Sequence, residues 1–370
     1  MATIGDSSAP STNTVYYDAL LTTTMAAYRK TLVDNIFKDS AFLYYLRMSD
    51  AIRKQDGGER IAVPLMYGTN STVKTHGGYS TLDTTPQDGL TTAFYEWAEV
   101  AGTVSISRKE ERQNSGEGRI LNLLESKLKQ AEMTMREKLN GDLLAGTVSS
   151  ATFIQDTAED GSYGLSPLGY FFRKEKATDP TTINVGNISG SSYSWWRHRT
   201  AVLGANAGSV SNEDFALNVS TYAALKVALR RMYNYCSRGS GGSPDLIVCD
   251  QVTFETYENA LDTSVRYMNT KMGDMGFDTV KLRGATMIWD EVVPDIYTGT
   301  AAITLGTAFF INTNFYELFI DSQTDIVTTP FVEPENQTAK TAKILFMGNV
   351  GVSNMRKHGV CMDISQSIVA

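Results

Sequence analysis

The sequence predicts an α+β fold, and three observations carry that prediction. Helical and extended stretches segregate along the chain instead of alternating regularly. One apolar stripe, formed by Leu121, Leu124, Leu128, Ala131, Met135, Leu139 and Leu143, recurs at steps of three or four and marks a single long helix. Two strand-like arms flank a polar connection, residues 68–90, that is far longer than an ordinary turn.

The composition sets the bounds. At roughly 150 residues per domain, 370 residues give two to three domains or one elaborate one. An apolar share of 42% is enough to bury a substantial core, which excludes disorder as the global state. The net charge of −8 argues against general nucleic-acid binding, because an acidic chain does not gather phosphates through its overall field. No apolar run approaches the roughly 18 residues of a membrane span. The start, Met1-Ala2-Thr3-Ile4-Gly5-Asp6, lacks the basic patch and apolar stretch of a signal peptide. A soluble protein that stays where it was made is expected.

Taken in order, the first fifteen residues are rich in Ser, Thr, Ala and Pro and read as a flexible tip. Residues 16–48 look helical in pieces, and the break Arg53-Lys54-Gln55-Asp56-Gly57-Gly58 follows. The outgoing arm is residues 60–67, where Pro64 cannot donate to a ladder and so belongs at an edge or in a two-stranded ribbon. The return arm is residues 92–107, and Thr103-Val104-Ser105-Ile106-Ser107 alternates polar and apolar. A two-stranded ribbon is barely stable alone in water, so the pair needs something outside its own domain to lie on. Ser115 is a plausible N-cap for the long helix and Gly146 a plausible terminator.

Residues 147–218 read as loops and short strands pinned by aromatics, among them Ser194-Trp195-Trp196-Arg197. A second helix carries Tyr222, Leu225, Leu229, Met232 and Cys236 on one stripe and stops at Arg238-Gly239-Ser240-Gly241-Gly242-Ser243-Pro244. Asp245-Leu246-Ile247-Val248-Cys249-Asp250 reads as a buried strand whose last residue caps a helix over residues 251–261. Short strands are expected over 286–289, 308–312, 315–320, 344–347 and 359–364.

Catalytic patterns fail one by one. Cys236, Cys249 and Cys361 are odd in number and widely spaced, which favours buried free thiols over a disulfide framework. His76, His198 and His358 are scattered and give a zinc or haem site nothing to stand on. The run Gly239-Ser240-Gly241-Gly242 follows a helix and precedes a strand, the reverse of a P-loop, and reads as a linker. Asp156-Thr157-Ala158-Glu159-Asp160-Gly161 imitates a calcium loop, but Ala158 stands where a ligand is needed. No nucleophile elbow occurs, and no cysteine and histidine are arranged to suggest an activated thiol pair. Asp290-Glu291 on an extended segment would point to opposite faces, so a solvated loop is the better reading than an acid/base couple. Arg356-Lys357-His358 reads as a basic surface turn whose only functional alternative is a nonspecific phosphate contact. The expectation is no enzyme, no cofactor and no metal.

The order of elements then carries a resemblance. A flexible arm, a long two-stranded extension, a spine helix and an α+β body follow one another. Within them lie residues 164–172, Ser194-Trp195-Trp196-Arg197, residues 244–257, Val280-Lys281-Leu282-Arg283-Gly284, Met287-Ile288-Trp289-Asp290, and the closing run Gly348-Asn349-Val350-Gly351-Val352-Ser353-Asn354 with His358-Gly359-Val360. This resembles the major capsid protein of tailed double-stranded-DNA bacteriophages, the HK-ninety-seven-type fold, from about Tyr16 to the C-terminus. The resemblance implies an N-terminal arm over 1–51, an extended loop over 52–107, and a peripheral domain over 108–220 and 325–370 with its spine helix at 115–146. It implies an axial domain over 221–324. It further implies pentamers and hexamers in an icosahedral shell, a separate scaffolding protein, a portal, decoration proteins, weak nonspecific contact with enclosed genomic DNA, and a place in the virion after assembly in the host cytoplasm. The alternative is an encapsulin-like compartment shell around a cargo enzyme, which the length disfavours.

Intersubunit contacts are expected from Phe94, Tyr95 and Trp97 on the return arm, from Tyr67, and from Lys74 near the tip. The competing expectation is that these aromatics pack under the chain's own spine helix. Some members of the resembling family weld their shells through a Lys–Asn isopeptide bond assisted by a buried glutamate. Lys74 is the single lysine between the arms, and Asn336, Asn349 and Asn354 are candidate partners. After Glu335, however, Asp363 is the only carboxylate side chain, so no autocatalytic crosslink is expected. A net charge of −8 suits a wall that holds DNA without gripping it.

Overall fold

The computed structural model describes residues 40–113, 123–144, 147–149, 152–154, 164–172, 184–204, 207, 212–261, 279–293, 306–334 and 337–364. The arm before Ser40, the caps expected at Ser115 and Gly146, the calcium-like run at 156–161 and Asn336 lie outside the described residues.

In chain order come helix α1 (Ala41–Met48) and strands β1 (Ile52–Gln55), β2 (Ile61–Met66), β3 (Leu90–Tyr95) and β4 (Ala98–Ser107). Helices α2 (Arg108–Gln113) and α3 (Leu123–Leu144) follow, then the pair β5 (Thr147–Ser149) and β6 (Thr152–Ile154), helix α4 (Leu168–Phe171) and the pair β7 (Asn184–Val185) and β8 (Ile188–Ser189). Next are β9 (Arg199–Val202), β10 (Phe215–Ala216), α5 (Tyr222–Cys236), β11 (Leu246–Cys249), α6 (Gln251–Ala260), β12 (Val280–Leu282) and β13 (Ala285–Trp289). The chain closes through β14 (Gly306–Ile311), β15 (Tyr316–Asp321), β16 (Val327–Thr328), β17 (Ala339–Val352) and β18 (Gly359–Ile364).

Among the described residues, two sheets organise the body. The first has five strands and is built on β17, which pairs antiparallel with β4, β15 and β16, while β1 adds parallel to β15. Val104 and Ile106 of β4 face inward and the polar residues between them face out, as the alternation predicts. Helix α3 lies against this sheet with Met135, Leu139 and Leu143 buried and Leu128 and Ala131 packed at the margin. The predicted spine stripe is thus observed from Leu128 onward.

The second sheet has seven strands in the order β10-β9-β18-β14-β11-β13-β12. Its central strands are apolar on both faces because both faces are covered. Leu246 and Val248 of β11 point into the core shared with the first sheet, and Ile247 and Cys249 point into a second core under α5 and α6. Cys236, Cys249 and Cys361 all lie in that second core as free buried thiols, and burial raises the pKa of each. Thr221 caps α5 and Asp250 caps α6, each through its side chain.

Sheet membership differs from the division expected from the sequence. Strands β9, β10 and β18, expected with the spine-helix domain, hydrogen-bond into the sheet of β11. The return arm also differs, since it is two strands and not one. Only β3 pairs with the outgoing β2, whereas β4 turns away at Glu96-Trp97 and joins β17 over ten residue pairs. The apolar face of β4 is the reason, because a free ribbon could not bury Val104 and Ile106.

Candidate assembly interface

The two-stranded extension is β2 paired with β3 from Ile61 opposite Tyr95 to Met66 opposite Leu90. Its base is fastened to the chain's own body. Tyr95 is buried, and its ring meets Phe171 at 6.2 Å. The Phe94 amide donates to the Gly186 carbonyl at 3.2 Å. Gly186 has φ +61°, and a Cβ there would fall 2.8 Å from the Ala93 side chain, so the β7–β8 turn fits against β3 only as glycine. Tyr67 stacks on Trp195 with centroids 5.0 Å apart and rings 10° from parallel. Trp97 donates from Nε1 to the Gly58 carbonyl at 2.9 Å.

These contacts sort the expected intersubunit residues. Tyr95 is buried in its own chain, where it packs against Phe171 and the end of β17. Trp97 and Tyr67 are half-buried and already have partners in their own chain. Phe94 remains 41% exposed, and Lys74 is exposed with its ammonium 3.5 Å from Asp83.

Beyond Tyr67 the strands draw together, and a Cβ on Gly68 would lie 2.8 Å from the Gly89 Cα. Past that neck the tip's bonds to described residues are all local. Asn70 and Asp83 accept from the amides of Thr72 and Thr85, and Ser71 meets Gln87 at 2.8 Å. The Thr85 hydroxyl and amide hold the Asp83 carboxyl below the usual range. Met66, Val73, Tyr79, Leu82 and Leu90 nevertheless stand in solvent, with Tyr79 fully exposed. Among the described residues nothing covers these apolar side chains, and they form an exposed apolar patch on the hairpin.

Two further arrangements were not legible in the sequence. Ser40, Asn140 and Asp290 form a hydrogen-bonded relay that ties α1 to the spine helix and the helix to the end of β13. Asp290 also accepts from the Val292 amide at 3.0 Å, so it is a half-buried tie and not the solvated loop residue expected. The second arrangement corrects the reading of Arg356-Lys357-His358 as a surface turn. Lys357 is 2% exposed, and its ammonium donates to the carbonyls of Arg238, Gly239 and Gly242 at 3.1, 3.2 and 3.1 Å. The glycine run read as a linker is thus a carbonyl cage around a buried cation. Gly239, Gly241 and Gly242 all have positive φ, which turns those carbonyls inward. His358 is also buried, stacked on Phe172 at 4.8 Å, and His198 meets the same ring at 6.0 Å.

Among the described residues no group of three or more His, Cys, Asp or Glu side chains could hold a metal ion. No helix among them is long and apolar enough to cross a membrane.

No protein-family model matches the sequence, and no curated protein matches it either. Solved structures do match along nearly the whole chain. The asymmetric unit of the cyanophage A-1(L) capsid superposes with a TM-score of 0.64 at 13% identity, covering 93% of this chain and 97% of that one. The capsid of Myoviridae phage XM1 gives 0.55 at 11% identity over 92% and 97% of the two chains. The capsid of the native GTA particle gives 0.52 at 13% over 92% and 96%. The chain has the phage capsid fold. The likeness is one of fold, with few residues in common.

Proposed function

We propose that this chain is the major capsid protein of a tailed double-stranded-DNA bacteriophage, a structural protein that assembles into pentamers and hexamers of an icosahedral shell. The observation that carries the reading is the hairpin tip. Among the described residues its apolar side chains have nothing packed over them, on a fold shared with capsids. In this reading the tip lies on a neighbouring subunit, with Phe94 and Lys74 at the contact and with Tyr67 and Trp97 setting the angle of the hairpin. The lobe of the spine helix and five-stranded sheet is the peripheral domain, and the seven-stranded sheet with α5 and α6 is the axial domain. A separate scaffolding protein, a portal and decoration proteins are the expected partners, DNA is the content, and the virion is the location. No catalytic role is assigned to any residue.

Negative-stain microscopy and size-exclusion chromatography of the full chain test this. Shells, or free pentamers and hexamers, are expected. Replacing residues 70–87 by a short Gly-Ser turn should leave the circular dichroism spectrum in place and abolish these assemblies. A monodisperse monomer under all conditions would overturn the reading.

A further inference from the structure

On the outer side of the glycine loop that encloses Lys357, the chain forms an open depression of about 420 Å³ lined by Arg199, Arg238, Gly239, Ser240, Asn354, Arg356 and Lys357. Four of these are cations in a chain whose net charge is −8. Two are already engaged. Arg199 donates to Asp214 at 2.7 Å, and Lys357 is turned into its carbonyl cage. Arg238 and Arg356 are exposed, and neither guanidinium has an anionic partner among the described residues.

The geometry points to a contact site for phosphodiester groups of duplex DNA at Arg238, Arg356 and Ser240, an inference that rests on the capsid reading above. Arg238 is held with its guanidinium carbon 3.8 Å over the Tyr235 ring. Stacking fixes the plane of the fork and leaves its N–H edge for an oxyanion, so little side-chain freedom is lost on contact. Arg356 follows Asn354, whose side chain accepts from the Arg356 amide at 3.2 Å and fixes the backbone that carries the second cation. The buried Lys357 charge lies directly behind the loop and adds to the field without making a contact itself.

The lining also separates DNA from a protein partner. It contains no apolar side chain that could serve as the buried anchor of a protein interface. Guanidinium forks and a hydroxyl are the groups that meet phosphate oxygens without reading bases. The contact is therefore weak and independent of sequence, a local cluster of cations in a chain whose net charge is −8.

The test measures binding of a short fluorescein-labelled duplex to the full chain by anisotropy across a salt series. The double variant R238Q/R356Q should bind about tenfold more weakly at low salt, and its plot of log affinity against log salt should be shallower by about two phosphate contacts. R238K/R356K should keep most of the affinity, and K129Q, on the exposed face of the spine helix, should bind as the parent does. Inorganic phosphate should compete only at concentrations where it acts as salt; displacement of the duplex at micromolar phosphate would assign the site to a free anion and overturn the proposal. Unchanged binding in R238Q/R356Q would overturn it too, as would a loss of subunit association with DNA binding intact, which would assign the cations to carboxylates of a second copy. Microscopy of the same preparations keeps the two readings apart. Shells that lack an arginine-dependent DNA contact sink only this proposal, whereas the absence of shells and capsomers sinks the capsid reading.

Discussion

The Tyr95 hydroxyl donates to the Val352 carbonyl at 2.6 Å and accepts from the Val352 amide at 3.1 Å, closing a loop of 257 residues. It joins the last residue of the hairpin strand to the last residue of the long strand β17. The hairpin therefore leaves the body from a fixed point, and burial raises the tyrosine pKa so that the hydroxyl stays protonated.

Tyr95→Phe should remove both bonds while keeping the ring against Phe171. A buried donor and acceptor left unpaired cost about 1–3 kcal/mol. The denaturant midpoint should fall accordingly, and proteolysis near residues 95–97 should accelerate. A midpoint equal to the parent's would show that the pair contributes nothing to the anchor.

The Lys357 cage makes a second prediction. Lys357→Met keeps most of the stem volume but strips three carbonyls of their donor, which should cost about 3 kcal/mol. Gly241→Ala should also destabilise, by about 1–3 kcal/mol, because φ +108° is a region L-residues avoid. Its Cβ would lie 2.8 Å from Phe315. If the two effects arise from one structure, the double variant should lose less than the sum, and calorimetry reads this directly. Strict additivity would separate them.

The elements of this chain were largely legible because they follow periodicity. Leu128 to Leu143 and Leu225 to Cys236 sit where the helical stripes place them, and β18 runs over the expected residues 359–364. What the sequence hid is what depends on distant partners. Nothing near Lys357 announces that glycines more than a hundred residues earlier will enclose it. His198 and His358 are 160 positions apart in sequence, yet both meet Phe172. The split of the return arm at Glu96-Trp97 is set by β17, which lies more than 240 residues later. The exposed tip could be read from composition, because a polar connection too long for a turn needs no partner inside the chain to be noticed.

Lys74 should form no covalent bond in assembled shells. It pairs with Asp83 across the tip, where it is exposed. The candidate partner Asn349 is buried and committed to the Ser166 amide at 3.0 Å and the Glu96 carbonyl at 2.7 Å. Denaturing electrophoresis should give one monomer band, unchanged in Lys74→Arg. A ladder of multimers that vanishes in Lys74→Arg would refute this.

Stability should decline in mild acid through His358. Burial first, and then the neighbouring His198, lower its pKa from the ordinary value to about 3. Between about pH 6.5 and 3 the unfolded chain binds a proton there that the folded chain does not. Stability from this group is thus complete above about pH 6.5 and falls as the pH drops, by about 1.4 kcal/mol per unit. Carboxylates add their own acid dependence, so the comparison is with His358→Phe, which can occupy the ring's place beside Phe172 and Tyr316. The parent's denaturant midpoint should fall more steeply than the variant's between pH 6.5 and 4.5. Parallel profiles would show that His358 does not titrate on unfolding.

Asp250 joins the two sides of the second core with a single carboxylate. Oδ2 accepts from the Thr253 amide at 3.2 Å and caps α6, while Oδ1 accepts from the Thr307 amide at 2.8 Å at the start of β14. Gly306 leaves room for it, since any side chain there would run into the Asp250 carboxylate and the Thr253 hydroxyl. Losing a cap costs about 1 kcal/mol, and orphaning the buried Thr307 amide adds about 1–3 kcal/mol. Asp250→Ala should therefore lose about 2–4 kcal/mol. Asp250→Ser, which can cap α6 but is too short to span to Thr307, should fall between Asp250→Ala and the parent. Hydrogen exchange locates the effect: the Thr307 amide should lose protection in both variants, and the Thr253 amide only in Asp250→Ala. Equal loss at both amides in Asp250→Ser would mean that the carboxylate acts through its charge and not through two separate bonds.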